Sequence, residues 1–88
     1  MADHAKRFVY ILRSVKYRDR RYVGVTADLP ARLRAHNGGQ NPSTAPRKPW
    51  AVDVSIEFGS ERMAVRFEKY LKSGSGHEFT ERHFEDRL

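Results

Sequence analysis

The apolar positions of the chain follow two rhythms, one of strands and one of helices. In RFVYILR, residues 7–13, Phe8, Tyr10 and Leu12 point one way while Val9 and Ile11 point the other. Both sets are apolar, so this strand is predicted to be central and covered on both sides. The polar stretch SVKYRD, 14–19, turns the chain. RRYVGVT, 20–26, reads as a second strand, paired with the first in a hairpin. From Trp50 to Phe58 the alternation returns. Trp50, Val52, Val54, Ile56 and Phe58 are predicted on one buried face, opposite Ala51, Asp53, Ser55 and Glu57, as at a sheet edge.

Between and after these strands the period lengthens. Asp28 is placed to cap a helix from Leu29 to Asn37, with Pro30 in its first turn and Asn37-Gly38-Gly39 as its stop. A loop rich in Asn, Pro, Ser and Thr follows, 38–49. Ser60 caps a second helix of about a dozen residues. Its predicted apolar stripe is Met63, Ala64, Phe67, Tyr70 and Leu71, and Gly74 and Gly76 break it. The tail EFTERHFEDRL reads as a short third helix packed through Phe79 and Phe84. The predicted fold is α+β: a three-stranded antiparallel sheet, first strand in the middle, flanked by helices.

Composition narrows the class. At 88 residues the chain reads as a single domain, 1–88, with its core at about 7–84. There is no cysteine, so disulfides and thiolate metal sites are excluded. The longest apolar run, FVYIL, is too short to span a bilayer, and MADHAKR lacks the apolar stretch of a secretion signal. The expectation is a cytoplasmic protein with no membrane role. Lys and Arg number 17 against 11 Asp and Glu, a formal charge of +6, and arginine predominates. Such a balance suits a polyanion, and nucleic acid above all; it also serves plain solubility.

The candidate chemistry lies on element borders. At 3.6 residues per turn Asp28, Arg32 and His36 line one face of the first helix, while Leu29 and Leu33 face the core. Arg32 and His36 therefore border the buried side. Glu68 borders the stripe of the second helix in the same way. Tyr22 lies on the sheet face opposite Val23 and Val25, and Gly24 leaves room beside it. A pocket of Tyr10, Tyr22, Arg32, His36 and Glu68 is sterically reasonable. Each residue also has a plainer role. The tyrosines fit ordinary strand aromatics, Arg32 a solvated helix position, His36 a helix C-terminus favoured by the dipole, and Glu68 a pair with Lys72.

The spacing of these groups resembles a known family. Val9-Tyr10-Ile11 followed by Tyr22-Val23-Gly24 is similar to the paired motif of the GIY-YIG nucleases. Arg32 and His36 in DLPARLRAHN, and Glu68 in RMAVRFEKYLKSGSG, continue the likeness in order. Together with HNGG they most resemble the small stand-alone bacterial members. The resemblance implies a metal-dependent endonuclease that hydrolyses DNA phosphodiester bonds, in repair or recombination, on DNA that includes branched or flapped forms. It implies one Mg²⁺ or Mn²⁺ held by Glu68, with Arg32 on the phosphate, Tyr10 as general base or water-orienting group assisted by His36, and Tyr22 as a hydrogen-bonding partner. Arg34, Arg47 and Lys48 would supply phosphate contacts. An asparagine that many members carry beyond the glutamate is absent from HEFTERHF, where Thr80 or His83 is the candidate substitute. A module of the same fold that binds nucleic acid with little or no turnover is the alternative. A protein–protein adaptor ranks behind both, given the charge.

Overall fold

The computed structural model describes residues 5–85. Strand β1, Arg7–Ser14, and strand β2, Arg21–Thr26, form an antiparallel hairpin. Helix α1, Leu29–Asn37, follows, then a loop with a 3₁₀ turn at Ala45–Arg47, and strand β3, Trp50–Phe58. Helices α2, Glu61–Leu71, and α3, Gly74–Phe84, complete the described chain. The sheet order is β2-β1-β3 and all pairings are antiparallel. The α+β architecture and the central place of β1 match the expectation from its two apolar faces. Among the described residues no helix is long and apolar enough to cross a membrane.

Each face of β1 organises its own core. Val9 and Ile11 pack with Ala64 and Leu71 of α2, joined by Val54, Phe58, Phe79 and Phe84. Tyr10 and Leu12 pack on the other side with Trp50, flanked by Tyr22, Leu29 and Leu33. The sheet thus has α2 and α3 on one side and α1 with the 38–49 loop on the other. Helix starts follow the capping rule: Asp28, Ser60 and Ser73 each accept a backbone N–H from the first turn.

Three expectations change. The strand from Trp50 to Phe58 forms, but it does not keep one buried face. Ile11 pairs with Val54 and Leu12 with Val52, so Asp53 is an extra residue, a β-bulge. The bulge turns Trp50 and Val52 to the Tyr10 side and leaves Val54, Ile56 and Phe58 on the Val9 side. Asp53 gains a use from this: Arg13 bonds it at 3.2 Å and bonds Glu85 at 3.0 Å, while Arg21 also pairs with Glu85. This network ties the end of α3 to the sheet.

Second, the α2 stripe is narrower than its sequence suggests. Ala64 and Leu71 are buried, but Met63 and Tyr70 are exposed, because α3 covers only one flank of the helix. Third, α3 begins at Gly74, ahead of EFTERHFEDRL, so Gly74 and Gly76 open the third helix as well as ending the second. A Cβ on Gly76 would lie far inside van der Waals contact with the Tyr70 carbonyl and the Leu71 backbone. Only glycine lets α3 cross so close to the end of α2. The last three residues of the tail, 86–88, fall outside the described residues.

Candidate active site

The site forms on the Tyr10 face, where β1, β2 and α1 meet. Tyr10 points from the central strand across Gly24, its partner on β2. A Cβ on Gly24 would collide with the Tyr10 hydroxyl and ring. The glycine that left room beside Tyr22 in the sequence is therefore the floor under the Tyr10 ring. Tyr22 stands beside it at a ring-centroid distance of 6.4 Å. His36 completes an aromatic triangle, edge-on to Tyr10 at 5.9 Å and to Tyr22 at 4.9 Å.

His36 does more than border the core. It is 1% exposed, because the loop after α1 folds back over it. Its Nε2 lies 3.0 Å from the Tyr10 hydroxyl and its Nδ1 lies 2.8 Å from the buried Thr44 hydroxyl. The Thr44 hydroxyl in turn donates to the Asn41 carbonyl. The arrangement that gives every donor an acceptor runs one way. Tyr10 O–H donates to Nε2, Nδ1–H donates to Thr44, and Thr44 O–H donates to Asn41.

The loop itself is anchored by Asn37. Its side-chain amide donates to the Trp50 carbonyl at 3.0 Å, and its Oδ1 accepts the Trp50 N–H at 2.6 Å. Trp50 Nε1 donates to the Thr44 carbonyl at 2.8 Å. Thr44, Asn37 and Trp50 are thus the supports of His36. The sequence offers no signal for Thr44, which lies in a polar loop of the kind that usually stays in solvent. Among the described residues no buried side-chain nitrogen or oxygen lacks a partner.

Electrostatics link the remaining two groups to Tyr10. Burial pushes the Tyr10 hydroxyl above the ordinary tyrosine value; the Arg32 guanidinium opposes that rise, and Tyr22 and Glu68 add to it. Burial also pushes His36 below the ordinary histidine value, and the Arg32 charge pushes it further down. The resting site therefore holds a neutral phenol donating to a neutral imidazole. Arg32 itself is exposed on α1, able to meet a ligand from solvent. Glu68 comes from α2, on the opposite layer, and its side chain is only 13% exposed. It is ion-paired with Lys72 one turn on, the plainer role that i, i+4 spacing allows.

The five residues singled out in the sequence thus converge on one region from β1, β2, α1 and α2. The supporting cations are spread more widely. Arg34 is exposed on α1, Arg47 ends the 3₁₀ turn and Lys48 is exposed after it. Of the two HEFTERHF groups that could stand in for an asparagine, Thr80 is committed elsewhere and His83 is exposed. Thr80 is buried and donates its hydroxyl to the Gly76 carbonyl at 2.9 Å, and the His83 ring lies 4.7 Å from that of Phe79.

A single carboxylate is the only acidic group of this cluster, and among the described residues no three His, Cys, Asp or Glu side chains gather to hold a metal. Glu68 alone nevertheless suits a hard cation. Its side chain is largely buried and its carboxylate already carries a positive partner, and such ions complete their shells with water and phosphate oxygens.

Comparison with known proteins decides the family. The profile of the GIY-YIG catalytic domain matches residues 6–82, nearly the whole chain. The chain belongs to the GIY-YIG catalytic domain family. A structure-specific endonuclease subunit SLX1 from Candida dubliniensis is 37% identical over 85% of this chain and 27% of that protein. The human structure-specific endonuclease subunit SLX1 is also 37% identical, over 68% of this chain and 24% of that protein. The chain thus matches about a quarter of the length of these curated relatives. The solution NMR structure of a UPF0213 protein from Bacillus halodurans superposes with a TM-score of 0.53 at 25% identity, covering 90% of this chain and 86% of that one. This GIY-YIG domain carries both tyrosine motifs on adjacent strands, Tyr10 on β1 and Tyr22 on β2, which is what brings their rings together.

Proposed function

We propose that this GIY-YIG domain is a divalent-metal-dependent endonuclease that hydrolyses DNA phosphodiester bonds in repair or recombination, with branched or flapped DNA among its substrates. The observation that carries the reading is the Tyr10 hydroxyl: it is bonded to His36 and lies within electrostatic reach of both Arg32 and Glu68. An arginine and a carboxylate that both act on one buried phenol supply a cation for the phosphate and a ligand for a metal. The branched substrate is suggested by the likeness to SLX1, a structure-specific endonuclease subunit. The two-way coverage with the Bacillus halodurans protein supports a likeness to the small bacterial members of the family.

The chain's own residues divide the work. Tyr22 and, once the exposed Arg32 side chain turns from the Tyr10 hydroxyl to the phosphate, Tyr10 orient a water at the phosphorus. As the water attacks, Tyr10 accepts its proton and passes its own to His36 Nε2, and the P–O bond to the leaving oxygen breaks. The lowered proton affinity of His36 lets it release that proton afterwards. Arg32 meets the negative charge that builds on the non-bridging oxygens. Glu68 would hold a Mg²⁺ or Mn²⁺, which when bound supplies a Lewis acid for the leaving oxygen.

The alternative, binding with little turnover, is favoured by one observation, the burial of Thr80 and its bond to the Gly76 carbonyl. The test is cleavage of supercoiled plasmid and flapped oligonucleotides with Mg²⁺, Mn²⁺ or chelator. Wild type should cut only with metal, Glu68→Gln should not cut, and Arg32→Ala should lose about 10²-fold in rate. Full cleavage by Glu68→Gln would remove the metal assignment. Binding without cutting under every condition would leave the binding module.

A further inference from the structure

Lys72 caps the C-terminal end of α2 and places its ammonium on the Glu68 carboxylate. The two side chains are held very differently. Glu68 is 13% exposed and fixed by packing, while Lys72 is 53% exposed on a flexible stem. An ordinary helix-surface pair joins two solvated groups; here one member has been taken largely out of water and needs a cation beside it. A divalent ion at the same carboxylate would repel the ammonium, and the lysine is the member able to move.

Space for it lies next door. A cavity of about 280 Å³ opens beside Lys72, with Arg21, Tyr22, His77 and Thr80 on its polar side and no carboxylate in its lining. Tyr22 also belongs to the aromatic triangle of the site, so the cavity adjoins it directly. The close crossing of α3 at Gly76 is what brings His77 to this wall. Arg21 is already bound to Glu85, which leaves Lys72 as the cation able to change partner. Ile11, Val23 and Leu71 form its apolar wall, and the donors Arg21, Tyr22 and His77 on the other side suit a phosphodiester group.

We propose that Lys72 is a partner-switching residue: it neutralises Glu68 while no metal is bound, and turns into the Arg21–Tyr22–His77 cavity to hold a DNA phosphate flanking the scissile one when Glu68 takes a cation. The inference rests on the reading of Glu68 as the metal ligand. It makes Lys72 a positioning residue whose contact with DNA depends on the metal.

Two measurements on the full chain test it. The first is Mn²⁺ binding without DNA, followed by electron paramagnetic resonance. Lys72→Gln should bind Mn²⁺ at least about twofold more tightly than wild type, since it removes a competing cation of ordinary ion-pair strength. Glu68→Gln should lose binding. The second is the salt dependence of affinity for flapped DNA, by fluorescence anisotropy. With Ca²⁺ present, Lys72→Gln should lower the slope of log K against log salt by about 0.9, one phosphate contact. In chelator the two proteins should have equal slopes. An unchanged or weaker Mn²⁺ affinity in Lys72→Gln, or a slope change that is the same with and without Ca²⁺, would overturn the switch. If Glu68→Gln keeps its Mn²⁺ affinity, the metal assignment falls and the switch with it. Loss in Glu68→Gln with no change in Lys72→Gln removes the switch alone.

Discussion

Tyr10 has no exposed surface, yet its hydroxyl bonds His36 and feels the charges of both Arg32 and Glu68. Burial wins over the arginine at Tyr10, while at His36 both act together, so the two groups stay neutral at rest. That has a consequence for stability. The unfolded histidine titrates near 6.5, and the folded one binds its proton only at lower pH. Between these two values the unfolded chain holds more protons, so stability is lost as pH falls through this window and is fully present above it. Chemical denaturation midpoints measured from pH 8 to 5 should therefore decline below about 6.5. His36→Gln should show a flatter profile at a lower overall stability. A wild-type profile no steeper than that of His36→Gln would show that His36 charges freely in the fold. The residue was legible as a candidate from its spacing after Tyr22. Its depth was not, because burial depends on a loop that folds back from eight residues further along.

At the scale of elements, the corner between α2 and α3 positions Glu68, Lys72 and His77 together. Ser73 caps α3 immediately after α2 ends, and Gly76 lets the two helices touch through backbone atoms. Gly76→Ala must push a methyl group into the Tyr70 carbonyl, which no side-chain rotation relieves. The expected loss is about 2–3 kcal/mol, a fall of roughly 10 °C or more in thermal midpoint for a domain of this size. Gly74→Ala is the control. Nothing lies within 4 Å of its added Cβ, and its effect should be neutral or stabilising by up to about 1 kcal/mol. Thermal unfolding by circular dichroism checks both. Strands, the starts of α1 and α2 and the central place of β1 were readable from local pattern because each expresses period, capping and apolarity along one segment. The bulge at Asp53 was not readable. Alternation from Trp50 to Phe58 is unbroken in the sequence, and the shift arises only when β3 is laid against β1.

Across the whole molecule, the stretch from α1 through the 38–49 loop covers one side of the sheet and carries Arg32, Arg34, Arg47 and Lys48. With a formal charge of +6, affinity for DNA should fall steeply between 50 and 200 mM salt, by counterion release. Replacing Arg34, Arg47 and Lys48 together by alanine should lower the salt slope by up to about 2.7, three phosphate contacts. The fold should survive, because the Arg47 carbonyl that accepts the Ser14 hydroxyl is untouched by the change. Anisotropy titrations at several salt concentrations measure this. An unchanged slope would place the DNA on another surface.

The sequence by itself determined the elements, the antiparallel hairpin, the identity of the two tyrosine motifs and the order Tyr10, Tyr22, Arg32, His36, Glu68. These are properties of local period, turn chemistry and spacing, and a chain carries them before it folds. Tertiary structure decided how deep each group sits and what it touches. It sealed His36 behind Thr44, set Gly24 beneath the Tyr10 ring, switched the face of β3 at Asp53 and gathered Tyr22 of β2, Lys72 of α2 and His77 of α3 around one cavity. Those features depend on desolvation and on close approach between segments far apart in the chain, and neither is written in any one of them.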